Sequence, residues 1–216
     1  MKARVLGAVA ALMFPAVAMA QNPKGATYIT AAQVQEINKL PGTDRQIVNV
    51  DIGKSNLAVG IIHRGKTGAP PPAAAAGAAR PAGAPAAAAA AEPCGETGTP
   101  SGNGIPGGIA HMGQTETYVV ISGGGTLVTG GKIMNGRKSG PTSEVTKILN
   151  GPSCSGAIDG ADVVKRVVGV GDVIIIPAGV PHGWTDIGDH VDYMSIRPDP
   201  ERTIPDLYTN PALKKQ

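Results

Sequence analysis

Aromatic residues are scarce in this chain: one Phe, one Trp and four Tyr among 216 residues. Glycine and proline are abundant instead, at 31 and 19. That balance argues against a helical bundle and for a turn-rich β domain with a flexible insert. Charge is also sparse. The formal net charge is +3, and about +1 without Lys2 and Arg4. No basic stripe is visible, so the chain lacks the footprint of a nucleic-acid binder. There are only two cysteines, Cys94 and Cys154. Their separation is wrong for a zinc knuckle. Beyond the first twenty residues, no segment is long and apolar enough to span a bilayer.

Residues 1–20 read as a secretory signal peptide. Lys2 and Arg4 form a positive start, Val5 to Val17 a short apolar run, and Ala18-Met19-Ala20 a small-x-small cleavage site. The rival reading, a membrane anchor, needs about 20 apolar residues, and this run is shorter. Export implies a periplasmic or secreted protein. In an oxidising compartment, Cys94 and Cys154 read as a disulfide, provided their Cα atoms lie within about 7 Å.

The mature chain divides into four stretches. Residues 21–66 hold a helix and two strands. Thr30 can cap the helix with its hydroxyl, and Gln33 completes a capping box. Ala31 to Leu40 follow, and Pro41-Gly42 stops them. The strands are predicted at 46–51 and 56–64. Residues 67–93 are low-complexity Ala, Pro and Gly. They have only methyl groups to bury, which predicts a disordered surface insert. Residues 94–200 carry short strands separated by Gly/Pro turns, the signature of an all-β sandwich or barrel. Within them, 130–160 read as an irregular excursion with one strand near 144–148, and Gly123-Gly124-Gly125 as a strand end. Residues 201–216 read as a tail lying on the surface.

Two motifs stand out. Gly171 to Trp184 reads GDVIIIPAGVPHGW: a Gly-Asp turn, four β-branched residues, a Pro-Ala-Gly turn, then His182. His111 to Gly123 reads HMGQTETYVVISG. Taken alone, His182 reads more readily as a surface or core histidine than as a ligand. Taken together, the spacings Gly171–Pro177–Gly179–His182 and His111–Glu116–Gly123 resemble the second and first signature motifs of the cupin superfamily. The layout is most similar to small exported single-domain bacterial cupins. The resemblance covers about residues 105–200. It departs from the family at two places: Ile109 stands where the first histidine of the H-x-H pair belongs, and Asp186 where a trailing asparagine belongs.

The resemblance implies a double-stranded β-helix, the jelly-roll barrel, with a divalent metal held by His111, Glu116 and His182. Two imidazoles and a carboxylate form a facial triad that suits Fe, Mn, Zn or Ni. Gln114 is a weaker oxygen donor. His63 is another weaker candidate, should the alternation of its strand turn it inward. Tyr118, Trp184 and Tyr193 would line the pocket if they face in, although core packing is the commoner fate of such residues. No separate nucleophile or base stands out. The sequence therefore leaves two functions open. One is a metal-dependent dioxygenase, isomerase or lyase acting on a small molecule. The other is a non-catalytic ligand-binding or structural envelope module with a degenerate metal site. The resemblance also implies a homodimer.

Overall fold

A computed structural model describes residues 25–69 and 91–215. The signal-peptide reading and most of the low-complexity insert lie outside the described residues. Thr30 caps helix α1, Ala31–Asn38, and the capping box with Gln33 is formed. Eleven strands follow: β1 (Asp44–Asp51), β2 (Asn56–Gly65), β3 (Pro93–Cys94), β4 (Ile105–His111), β5 (Glu116–Thr129), β6 (Lys132–Lys138), β7 (Ser153–Asp159), β8 (Val164–Gly169), β9 (Val173–Ile176), β10 (His182–Thr185) and β11 (His190–Asp199).

Every strand pairing is antiparallel. One sheet runs β1-β2-β11-β5-β9, and the other β3-β6-β7-β4-β10-β5-β8. Strand β5 belongs to both. Its first half pairs with β11 and β9, its second half with β10 and β8. This two-sheet closure is the jelly-roll barrel that the two motifs imply.

The glycines at 123–125 do not end a strand, as their composition suggests. They bend β5 from one sheet into the other. Ile121 is an extra residue in the ladder, since Asp192 pairs with Ser122 but Tyr193 with Val120. Gly123 follows with φ at +64°, and a Cβ there would lie 1.9 Å from the His190 carbonyl oxygen. Bulge and glycine together supply the local bend.

The stretch 130–160 is more regular than expected. It contains β6 and β7, which pair with each other. Where a strand was expected near 144–148, Val145–Leu149 form a single π-type helical turn instead. Hydrogen bonds from Ser143 to Gly140 and from Lys147 to Ser143 set its entry. Sequence reading missed β7 because glycine depresses strand propensity. Here Gly156 lets backbones approach closely, since a Cβ would meet the Met134 carbonyl at 2.6 Å.

Between the sheets lies an apolar core that includes Tyr118, Val120, Leu127, Val191 and Tyr193. A second cluster fills the other end around Val128, Ile133 and Ile158. Outside, α1 packs Ile37 onto Ile47 and Ile61. The C-terminal segment docks on the edge of β1, with backbone bonds from Asn49 to Tyr208 and from Asn210 to Ile47. Cys94 and Cys154 form a disulfide with Cα atoms 6.0 Å apart. It ties β3 to β7. Among the described residues, no helix is long and apolar enough to cross a membrane.

Candidate metal centre

His111 ends β4, Glu116 opens β5 and His182 opens β10. The barrel brings all three together, each almost fully buried. Their ligand atoms lie within 4.8 Å of one another. Nε2 of His182 stands 3.1 Å from Glu116 Oε2, and Nε2 of His111 stands 3.3 Å from the same oxygen. Ile109, at the position of the missing histidine, sits directly across from His182 in the β4–β10 pairing.

The outward nitrogens decide which form each imidazole takes. His182 Nδ1 lies 3.0 Å from the Val180 carbonyl oxygen. A carbonyl only accepts, so Nδ1 carries the proton and donates it. His111 Nδ1 lies 2.8 Å from Ser153 Oγ. That hydroxyl donates its own proton to the Gly151 carbonyl at 3.0 Å, so it accepts from His111. In the neutral tautomers both Nε2 atoms therefore point lone pairs at a carboxylate oxygen. His182 Nε2 has no hydrogen-bond partner. Three electron-rich atoms facing one another in a buried space fit a cation between them.

Glu116 is held on every side. Tyr118 donates its hydroxyl to Oε2 at 2.7 Å. Ser195 Oγ and Arg197 Nε each donate to Oε1 at 2.9 Å. Burial works against the charge, but it is opposed by hydrogen bonds from the two imidazoles, whenever an added proton sits on Nε2, and by Arg197, which together hold the carboxyl well below the usual carboxylate range. Burial pushes the His111 imidazole down, and the neighbouring Glu116 only partly opposes this. Burial, with Glu116 second, pushes the Tyr118 phenol up.

The other sequence candidates separate. Gln114 is buried, and neither amide atom has a hydrogen-bond partner. It shares the alternate buried positions 114, 116, 118 and 120. His63 lies elsewhere. Ile62 and Tyr193 point into the core, so their neighbours His63 and Asp192 face outward, joined at 2.6 Å. Tyr118 touches the centre, with its ring 6.0 Å from that of His182. Tyr193 packs tilted behind it with ring centres 4.3 Å apart, and Trp184 behind Tyr193 at 5.2 Å. Both belong to the packing of the barrel core.

Ser153, Ser195 and Arg197 were not singled out from sequence. For the last two a signal existed: Tyr193, Ser195 and Arg197 share one face of β11 by alternation, which places polar groups at core positions. Ser153 carries no such signal.

No family model matches the chain, and no curated protein matches it significantly. Solved structures do match at low identity. A recombinant oxalate oxidase in complex with glycolate shares 15% identity at a TM-score of 0.34, over 82% of this chain and 61% of that one. The capsular polysaccharide assembling protein CapF from Staphylococcus aureus shares 15% at 0.28, over 76% of this chain and 34% of that one. A structural-genomics protein of unknown function from Rhizobium leguminosarum shares 12% at 0.27, over 79% of this chain and 96% of that one. The chain thus spans about three fifths of the oxalate oxidase and one third of CapF.

Proposed function

We propose that this is an exported cupin-like protein holding one divalent transition metal through His111, Glu116 and His182, and binding a small molecule beside it. The observation that carries the reading is the convergence of two Nε2 atoms on Glu116 Oε2, with both Nδ1 atoms already committed as donors. A bound metal would supply Lewis-acid or redox chemistry to a small-molecule dioxygenase, isomerase or lyase reaction. The protein residues do the rest. Ser153 and the Val180 carbonyl orient the imidazoles, and Arg197 and Ser195 keep Glu116 charged and fixed. Gln114 offers an unpaired amide, either as a further oxygen donor or as a hydrogen-bonding partner for the bound molecule.

Fe, Mn, Zn and Ni all suit the donor set, since two imidazoles and a carboxylate do not select among them. Export is supported by the signal-like start of the sequence and by the disulfide. The second reading is a degenerate centre in a non-catalytic envelope module. What favours it is the short approach of His182 to Glu116, which a single extra proton would also satisfy.

Elemental analysis of untagged protein separates the two. About one transition-metal ion per chain, lost in His182→Ala, supports the metal centre. No metal, together with a melting temperature indifferent to chelator, supports the degenerate one.

A further inference from the structure

Arg197 is fully buried and is no ligand candidate. Its guanidinium nevertheless joins the centre to parts of the chain outside the two motifs. Nε donates to Glu116 Oε1 and to Ser195 Oγ, each at 2.9 Å. Nη2 donates to Asp44 Oδ2 at 2.6 Å. Nη1 reaches the Leu149 carbonyl at 3.1 Å and Gln46 Oε1 at 3.2 Å. One planar group therefore ties Glu116 on β5 to β1 and to the helical turn at 145–149. The rigid fork of arginine suits this, since an ammonium could not hold several fixed directions at once.

The two oxygens of Glu116 are consequently unequal. Oε1 accepts from Arg197 and Ser195 and is turned away from the imidazoles. Oε2 faces both Nε2 atoms and accepts from Tyr118. We infer that Arg197 is a positioning residue that restricts Glu116 to a single donor oxygen, Oε2, and that β1 is part of the metal centre because Asp44 and Gln46 fix Arg197. This rests on the metal reading above. Asp44 also offsets the guanidinium charge, so the arginine orients the carboxylate without setting an unbalanced positive charge beside the metal. Without it, Oε1 keeps only the Ser195 hydroxyl, a neutral and weaker hold, and Glu116 is freer to rotate and to offer both oxygens.

The test is Co(II) titration of the full mature chain, read by affinity and by the visible absorption band, with circular dichroism to confirm folding. The variants are Arg197→Met, Arg197→Lys, Ser195→Ala, Asp44→Asn and His182→Ala. In Arg197→Met the Co(II) Kd rises about 10–100-fold, and the band shifts as Oε1 joins the coordination. Arg197→Lys recovers part of both. Asp44→Asn shifts the band in the same direction by less, although the Asp44 side chain touches no candidate ligand and bonds Arg197 and Asn150. Should Arg197→Met not fold, Asp44→Asn and Ser195→Ala carry the test. Folded variants with wild-type affinity and band overturn the role of Arg197, provided wild type binds Co(II) and His182→Ala does not. Wild type that takes up no Co(II) overturns the metal reading itself, and this inference with it.

Discussion

At the scale of single residues, the centre depends on the proton at Nδ1 of each histidine. Ser153 holds that proton for His111, and a backbone carbonyl holds it for His182. Ser153→Ala removes the only side-chain partner of His111 Nδ1 among the described residues and frees the ring to turn. Metal affinity measured by calorimetry should fall about 10–100-fold, the usual cost of losing an outer partner. An unchanged affinity would show that the ring is held by packing alone. The three converging side chains were legible in the sequence, because two motifs with fixed spacings carried them. Their supports were not. Ser153 reaches His111 across a sheet from 42 residues away, and Arg197 reaches Glu116 from 81. Nothing local to either position marks such a contact, although the polar residues at core parity on β11 could have raised the question.

At the scale of elements, β5 is the piece that makes two sheets into one barrel. Its glycines read as an interruption, because sequence shows flexibility but not where a backbone must bend. Gly123→Ala should destabilise the fold by about 1–3 kcal/mol, for a non-glycine residue at positive φ that also meets a neighbouring carbonyl. Denaturant unfolding checks this, and a loss under 0.5 kcal/mol would mean that β5 relaxes easily. The same limit explains 130–160. Glycine and polar residues there read as irregular, yet cross-strand pairing and a disulfide order them as β6 and β7. Replacing Cys94 and Cys154 together by alanine should cost about 2–4 kcal/mol, since the bridge closes a long loop of the unfolded chain. A fall in melting temperature relative to the oxidised wild type, which disappears when wild type and variant are both fully reduced, checks that the loss comes from the bridge. The strands flanking the motifs were legible, since β-branched runs and turn residues agreed there.

At the scale of the whole molecule, buried ionisable groups couple the centre to stability. His111 is held below its ordinary range, so the folded protein resists protonating it. Stability of the metal-free protein should therefore fall as pH drops below about 6.5, where the unfolded chain binds the proton. Glu116 is held low as well, so its contribution is present above about 4.3 and is lost as pH falls further toward the folded value. Thermal melts from pH 8 down to about 2 check both signs. A melting temperature that rises on acidification would contradict them. Bound metal should raise stability at every pH where the imidazoles are neutral, by about 2.7 kcal/mol at a free concentration one hundred times Kd. The all-β class was legible from composition and turns, while β1 and β2 were legible as strands but the place of β2 beside β11, with β1 outside it, was not.

The most direct test of the central claim is the transition-metal content of the untagged protein, purified without chelator and compared with His182→Ala. The three converging ligands predict close to one equivalent in the wild type and almost none in the variant. A wild type free of metal, with a melting temperature the same with and without added Mn, Fe, Ni or Zn, would contradict it.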